Sequence, residues 1–410
     1  MSLASATPSR PAARAAQASN WLATWGASPQ VATPGSLAAT GFDNQTVRNV
    51  VFTSAAGSIV RVRFTNTFGT QPLLIGDAAI ALASPGAAAG TSAATVAGTN
   101  TRLTFAGKRS ILIAPGAEAL SDPVAMTVPA LADLAVSVYL PQSTGPATNH
   151  SDAQQDNWVA AGDHALGTSG TAFTTDTQSW YFIDGIDVVA ASQDIGTVVA
   201  FGDSITDGYH SDVDANGRWP NDLARRLDAL TGDTLSVADE GISGNRVLND
   251  SLCCGVNAQA RFERDVVERA GAKDVILLEG INDIGFSQLA SSPLTNPNTN
   301  VSAAQIIAGY EQLIADAHAG GLKIFGATLT PFRGASYWSA QGELKREAVN
   351  KWILTSGAFD GVIDFAKAVA EPGDPQVMNP AFDSGDHLHP NDAGYQAMAN
   401  AIDLSMLTGS

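Results

Sequence analysis

The sequence has 410 residues, which is too long for one ordinary hydrophobic core and predicts two domains. Hydrophobic residues make up 45% of the chain and charged residues 15%, a composition that excludes a disordered protein. The formal net charge of −18 offers no basic surface for phosphate backbones, so we expect no nucleic-acid partner. No apolar run reaches the roughly 18 residues that a membrane span needs.

The first 19 residues are rich in Ala, Ser and Pro, and they predict a disordered tail. They lack the apolar stretch of about 7–15 residues that a secretory signal requires. Residues 15–19, A-A-Q-A-S, resemble the small-residue flank of a cleavage site, so a remnant of a signal region is the alternative.

From residue 20 to residue 194 the sequence predicts an all-β domain. Apolar and polar residues alternate in runs such as Val60–Thr65, which places them on opposite faces of a sheet. The predicted strands are Thr46–Thr53, Ile59–Asn66, Pro72–Ile75, Ser110–Ile113, Leu134–Leu140 and Trp180–Val189. Short strands with turn residues between them predict an antiparallel sandwich of jelly-roll type. The Ala-, Gly- and Thr-rich segment from Pro85 to Asn100 predicts a mobile loop.

From residue 195 to residue 410 the pattern changes to alternating strands and helices. The predicted strands are Thr197–Phe201, Thr234–Val237, Asp274–Leu278, Lys323–Leu329 and Val362–Phe365. The predicted helices are Trp219–Leu230, Ala258–Ala270, Ala303–Ala319, Glu343–Leu354 and Asp392–Leu407. Apolar strands in this order predict an α/β domain with a five-stranded parallel sheet covered on both faces. Ligands of such sheets bind beyond the carboxyl ends of the strands.

The two cysteines of the sequence, Cys253 and Cys254, are adjacent. Neighbouring Cα atoms lie about 3.8 Å apart, which is below the usual range of a disulfide. We therefore expect two free thiols in a loop, with a strained vicinal disulfide as the alternative.

Polar residues follow the first three predicted strands of the α/β domain. G-D-S-I-T-D-G at 202–208 places Ser204 between a strand and a helix, where a serine can act as a nucleophile or cap the helix. G-I-S-G-N at 241–245 brings Gly244 close to a ligand or simply forms a tight turn. E-G-I-N-D at 279–283 offers the Asn282 amide as a hydrogen-bond donor or closes an Asx-type turn.

The segment D-H-L-H-P at 386–390 precedes the last predicted helix. A serine hydroxyl needs a base, and the base works best when a carboxylate orients it. Asp386 can pair with His389 within one loop, while His387 is the competing base. The two histidines are also a weak candidate for a metal site, because the sequence shows no further cluster of metal ligands.

These four blocks, in this order, resemble those of the SGNH (GDSL) hydrolases. The resemblance covers residues 197 to 407 and implies a flavodoxin-like α/β fold and a serine ester hydrolase that acts through an acyl-enzyme without metal or cofactor. It implies Ser204 as nucleophile, His389 as base and Asp386 as its partner. It further implies that the Ser204 and Gly244 amides and the Asn282 side chain form the oxyanion hole. Gly241 is an alternative to Gly244, and Asp239 stands where the family often has Asn.

The N-terminal half resembles the β-domain of a bacterial subgroup related to xylan-degradation esterases. W-L-A-T-W at 21–25, S-D-P at 121–123 and W-Y-F-I-D-G at 180–185 carry this likeness. We expect Trp21, Trp25 and Trp180 to lie in the core rather than to stack on sugars. The resemblance favours short-chain acyl esters, acetylated carbohydrates among them, and a secreted or periplasmic bacterial protein. A lipase or lysophospholipase and an inactive carbohydrate-binding protein are the alternatives, and the oligomeric state stays open.

Overall fold

The computed structural model describes residues 21–190, 194–232 and 234–408. The predicted tail at residues 1–19 lies outside these ranges. Within them, no helix combines the length and the apolar character that crossing a membrane requires.

Residues 21–190, called here the β part, consist mainly of short strands. The strands are β1 (Trp21–Gly26), β2 (Gln45–Phe52), β3 (Gly57–Thr65), β4 (Leu73–Ile75), β5 (Asp77–Leu82), β6 (Thr101–Arg102), β7 (Ile111–Ile113), β8 (Glu118–Leu120), β9 (Val124–Val128), β10 (Asp133–Leu140), β11 (Asn149–His150), β12 (Asn157–Ala161), β13 (Phe173–Thr177), β14 (Trp180–Tyr181) and β15 (Ile183–Ala190). The helices are single turns, α1 (Leu37–Thr40) and α2 (Pro85–Ala88).

Two antiparallel sheets of the β part face each other. One has the order β1-β15-β3-β8, with β9 also paired to β3, and the other has the order β13-β12-β2-β10-β5-β6. Val62 and Ile186 of the first sheet share one buried core with Val47 and Val136 of the second. The predicted all-β sandwich is therefore confirmed, because each sheet buries its alternating apolar face against the other.

Two details of the β part bear on the sequence expectations. Trp25 and Trp180 are buried and their rings meet edge to face, with centroids 5.0 Å apart, whereas Trp21 is only partly buried. Part of the segment predicted as a mobile loop is packed instead. Ala93 is buried, and its carbonyl accepts a hydrogen bond from the Arg48 guanidinium at 2.5 Å.

Residues 194–408, called here the α/β part, alternate strands and helices. The strands are β16 (Asp194–Gly202), β17 (Thr234–Gly241), β18 (Ala272–Leu278), β19 (Lys323–Ala327), β20 (Gly361–Ile363), β21 (Ala370–Glu371) and β22 (Asp374–Met378). The α-helices are α3 (Ser204–Asp207), α4 (Trp219–Asp228), α5 (Ala258–Phe262), α6 (Ile281–Gly285), α7 (Ala303–Ala319), α8 (Ala340–Thr355), α9 (Phe365–Val369), α10 (Asp392–Asn400) and α11 (Leu404–Thr408). A π-helical turn, Glu263–Val267, continues α5, and a 3₁₀ turn, Phe286–Gln288, follows α6.

The main sheet of the α/β part is parallel and has the strand order β17-β16-β18-β19-β20. This order is that of flavodoxin-like folds, and it places β16 between the two strands at which the winding reverses. The predicted five-stranded sheet is confirmed. The last predicted helix is divided in two, because Asp403 accepts a hydrogen bond from the Ser405 N–H at 3.0 Å and starts a second helix there.

The two parts meet through buried polar contacts. The Ala23 N–H donates to the Ala270 carbonyl at 2.9 Å, and the Val237 N–H donates to Ser54 Oγ at 2.9 Å. Arg269 Nε lies 2.7 Å from Glu240 Oε1, and both side chains are almost fully buried. Such contacts fix one part against the other. The domain boundary between residues 194 and 195 stays a prediction.

Candidate active site

Three loops at one edge of the parallel sheet carry the candidate residues. Ser204 follows β16, Gly244 follows β17 and Asn282 follows β18. Because β16 lies between β17 and β18, Ser204 occupies the central position of the three.

Ser204 is the first residue of α3 and is 5% exposed. The Asp203 carboxylate caps this turn by accepting the Ile205 N–H at 3.0 Å. Gly202 is required before it, since a Cβ there would lie 2.2 Å from the Leu278 carbonyl oxygen. The Ser204 N–H itself has no hydrogen-bond partner among the described residues.

Ser204, His389 and Asp386 form a continuous hydrogen-bonded chain. Ser204 Oγ lies 2.8 Å from His389 Nε2, and His389 Nδ1 lies 2.6 Å from Asp386 Oδ2. The ring of Tyr209 packs edge to face on His389, with centroids 4.8 Å apart. The imidazole is therefore held on three sides, by the serine, the carboxylate and an aromatic ring.

Asp386 binds the backbone of the loop as well as the histidine ring. Its Oδ1 accepts the N–H groups of Leu388 and His389 at 2.9 and 2.8 Å. Although burial opposes the charge, the hydrogen bond and the charge of His389 hold the pKa of the Asp386 carboxyl well below its ordinary value. The carboxylate therefore stays ionised at neutral pH, as an orienting group must.

His387, the competing base, pairs with Asp383, whereas Ser204 pairs with His389. It has a left-handed backbone, with φ of 64°, and its Nδ1 pairs with Asp383 Oδ2 at 2.6 Å. About half of its side chain is exposed. The turn at His387 thus sends the two histidines in different directions.

The histidine that shares Asp386 with His389 is His210, which the sequence analysis did not single out. His210 Nε2 lies 3.5 Å from Asp386 Oδ2, and ligand atoms of His210, Asp386 and His389 all lie within 4.8 Å of one another. These three residues, rather than His387 with His389, form a set that could hold a metal ion.

Gly244 lies in a four-residue turn that the Asn245 N–H closes by donating to the Ile242 carbonyl at 3.0 Å. Its φ of 77° is the left-handed conformation that this turn needs at its third residue, which explains the glycine. The Gly244 N–H has no hydrogen-bond partner among the described residues. The N–H of Gly241, the alternative, donates to Asp239 Oδ1 at 2.9 Å and is therefore not free.

The expectation of two free thiols is wrong, because Cys253 and Cys254 form a vicinal disulfide with an Sγ–Sγ distance of 2.05 Å. The bridge lies against the turn that contains Gly244. A Cβ on Gly244 would lie 2.5 Å from Cys254 Sγ, and Asn245 Nδ2 donates to the Cys254 carbonyl at 2.7 Å. The disulfide therefore belongs to the packing around this turn.

Asn282 is 2% exposed and connects its loop to the same turn. Its Nδ2 donates to the Asn245 carbonyl at 3.0 Å, and its Oδ1 accepts the Tyr337 hydroxyl at 3.1 Å. An amide nitrogen has two N–H groups, so one remains for a ligand. Asp283 strengthens the connection by accepting the Val247 N–H at 2.7 Å.

Tyr209, Tyr337 and His210 are site residues that the sequence analysis missed. Tyr209 and His210 directly follow the G-D-S-I-T-D-G segment, and their proximity to it was an available signal. Tyr337 lies 55 residues from Asn282, and a single sequence carries no signal that connects the two.

The comparison with protein families matches the part of the chain that carries the candidate residues. Residues 200–397 match the family model described as GDSL-like lipase/acylhydrolase. Similar solved structures include a catalytic mutant of an acetylxylan esterase from Geobacillus stearothermophilus, with 21% identity, a TM-score of 0.39 and coverage of 52% of this chain and 94% of that chain. A lipase/acylhydrolase from Enterococcus faecalis has 19% identity, a TM-score of 0.40 and coverage of 52% and 96%. No curated protein sequence matches the chain.

Proposed function

We propose that Ser204 is the nucleophile of this carboxylic ester hydrolase, whose residues 200–397 match the GDSL-like lipase/acylhydrolase family model. The hydrogen-bonded chain from Ser204 Oγ through His389 to Asp386, with distances of 2.8 and 2.6 Å, carries this proposal. It has the connectivity that activates a serine hydroxyl: a base on the nucleophile and a carboxylate on the base.

In the first half-reaction, Ser204 Oγ attacks the ester carbonyl carbon while its proton passes to His389 Nε2. Asp386 stabilises the imidazolium and keeps the ring oriented without taking the proton itself. The tetrahedral intermediate collapses to an acyl-serine when the alkoxide leaves with the proton of His389. In the second half-reaction, His389 takes a proton from water while the water oxygen attacks the acyl carbon. The second tetrahedral intermediate then releases the acid, and His389 returns its proton to Ser204 Oγ.

Three donors stabilise the negative charge of each tetrahedral intermediate. They are the N–H groups of Ser204 and Gly244, which have no partner among the described residues, and the remaining N–H of Asn282 Nδ2. Their loops are bonded to one another, so the donors are arranged before the substrate binds. Preorganised donors act on charge that develops in the transition state and therefore raise kcat.

For the substrate we propose soluble esters with short acyl groups, acetyl esters above all, with acetylated carbohydrates as the natural class. The net charge of −18 opposes binding to anionic lipid surfaces, which disfavours the lipase and lysophospholipase alternative. The hydrogen-bonded set of Ser204, His389 and Asp386 also disfavours the alternative of an inactive carbohydrate-binding protein.

The nucleophile is tested with Ser204→Ala and a fluorophosphonate probe. We expect the variant to fold and to lose about 10⁴–10⁶ in turnover, and the probe to label Ser204 alone. Ser243→Ala, at the serine of the neighbouring loop, is the comparison variant and should lose no more than about tenfold in turnover. Labelling at Ser243, or full turnover in Ser204→Ala, contradicts the assignment.

The substrate is tested with p-nitrophenyl esters of increasing acyl length and with acetylated xylooligosaccharides. We expect acetyl and butyryl esters to be hydrolysed far faster than long-chain esters, and acetate to be released from the oligosaccharide. Faster hydrolysis of long-chain esters or lysophospholipids would establish the lipase alternative instead.

A further inference from the structure

A histidine of the β part contacts the turn that carries the candidate nucleophile. His150 ends β11 and is 3% exposed. Its Nδ1 lies 2.9 Å from the Ser28 carbonyl of its own part, and its Nε2 lies 3.0 Å from Asp207 Oδ1 of the α/β part. The imidazole therefore spans the interface between the two parts.

Asp207 connects this histidine to the loop of Gly244. The second oxygen of its carboxylate, Oδ2, accepts both the N–H of Ser243 at 2.9 Å and the Ser243 hydroxyl at 2.8 Å. Ser243 directly precedes Gly244, and Asp207 ends the helical turn that begins at Ser204. One buried carboxylate thus lies between the nucleophile's turn and the loop of the proposed oxyanion donor.

The charges of this network depend on one another. Burial lowers the pKa of His150, but the charge of Asp207 and its hydrogen bond outweigh that effect and raise it to about 9. Asp152, which is partly buried, raises the pKa of His150 further through its charge. Removing the imidazole would leave Asp207 Oδ1 without this hydrogen-bond donor, and a buried carboxylate oxygen without a donor shifts toward other donors or water.

The backbone around Asp207 leaves little room for such a shift without moving Gly241 or Ser243. A Cβ on Gly241 would lie 2.2 Å from the Asp207 N atom, so the start of the Gly244 loop already touches the end of α3. Arg218 Nε donates to the Asp207 carbonyl at 2.7 Å and holds its backbone. The part that can respond is the Ser243–Asp207 hydrogen-bond pair, and with it the position of Gly244.

We propose that His150 is a positioning residue of the ester hydrolase, which acts through Asp207 and Ser243 to hold the Gly244 N–H in place for the oxyanion. This inference rests on the proposed function. It gives the β part an indirect role in catalysis, separate from any binding of carbohydrate. A displacement of about 1 Å at a catalytic group can cost on the order of 10² in rate, so a distant hydrogen bond suffices for the effect.

The test is His150→Gln, with kcat measured per active site titrated with a fluorophosphonate. We expect kcat to fall about 10- to 100-fold while KM changes less than about twofold, because the lost contact acts on the transition state. The rate of fluorophosphonate labelling should fall by a similar factor. His164→Gln is the matched control, since His164 lies in the β part and packs against Phe173 of that part. Unchanged kcat per titrated site in a folded His150→Gln protein overturns the inference.

Ser243→Ala tests the other end of the His150–Asp207–Ser243 network and provides the test of the inference if His150→Gln does not fold. It removes the hydroxyl donor to Asp207, and we expect a loss of about 3- to 10-fold in kcat with KM unchanged. In the variant that carries both substitutions, the fold-loss of kcat should be smaller than the product of the two single fold-losses, because both residues act through one carboxylate. An unchanged kcat in Ser243→Ala, or a full product of losses, overturns the inference. Full turnover in Ser204→Ala contradicts the proposed function instead, so the two failures are distinguishable.

Discussion

The Asp386 carboxylate binds His389 twice, through the ring at 2.6 Å and through the backbone N–H at 2.8 Å. The backbone contact holds the loop in the conformation that keeps the His389 ring against the carboxylate. A histidine bound in this way cannot rotate away from Ser204 without breaking a bond to a carboxylate that holds its charge strongly. The same loop holds a second histidine–aspartate pair, His387 with Asp383.

We expect His389→Ala to be as damaging as Ser204→Ala, because it removes the base. His387→Ala should reduce kcat less than about tenfold, since His387 pairs with Asp383 and not with Ser204. Steady-state kinetics on an acetyl ester measures both. Equal losses at the two histidines contradict the assignment of the base.

Asp386→Asn should lower kcat by about 10²–10⁴, less than the loss of His389, because the ring loses its orienting charge but keeps its place. Asp383→Asn is the matched control in the same loop, and we expect it to retain most activity. If the two aspartate variants lost the same amount, the loop rather than the triad would account for the effect.

Asn282→Ala should lower kcat by about 10²–10³ with little change in KM, because the amide acts on charge that appears in the transition state. Tyr337→Phe removes the hydroxyl that Asn282 Oδ1 accepts and should cause a smaller loss. A rise in KM at constant kcat in Asn282→Ala would make Asn282 a substrate-binding residue instead.

The charge of His150 makes stability depend on pH. Its folded pKa of about 9 exceeds the ordinary 6.5, so the folded state holds more protons between these values. Protonated His150 therefore adds on the order of 3 kcal/mol to the free energy of unfolding below about pH 6.5. This stabilisation is lost as the pH rises through about 9. Urea unfolding of the wild type and His150→Gln should show a difference in unfolding free energy that shrinks from pH 6 to pH 9.5. A difference that stays constant or grows with pH would contradict the assignment.

Dialysis against a chelator should leave kcat/KM within about twofold, because the proposed mechanism uses no metal. The same assay after addition of Zn²⁺ provides the comparison. Activity lost on chelation and restored by zinc would instead assign His210, Asp386 and His389 as ligands.

The Cys253–Cys254 bridge predicts that the unfolded, unreduced protein takes up no alkylating reagent, while the reduced protein takes up two equivalents. Mass spectrometry under denaturing conditions measures both states. Two adducts without reductant would restore the expectation of free thiols.

Local patterns in the sequence were enough to predict the two architectures and the four blocks of the site. Alternation with period two identifies the sandwich strands, and uniformly apolar runs identify the buried parallel ones. Because the carboxyl ends of parallel strands share one edge, Ser204, Gly244 and Asn282 could be grouped before any contact was known. Asp386 and His389 are three residues apart, so their pairing is a local property of one loop.

Tertiary structure alone decided the contacts that cross long stretches of chain or depend on one backbone angle. The left-handed turn at His387 separates the two histidines, and it cannot be read from D-H-L-H-P. The pairing of His150 with Asp207 joins residues 57 apart across two parts of the chain, where no periodicity connects them. The vicinal disulfide lies beside Gly244, and the adjacency of two cysteines in the sequence does not indicate whether they are bridged. Sequence patterns encode which face of an element is buried, whereas the partner on that face is chosen only when the elements pack.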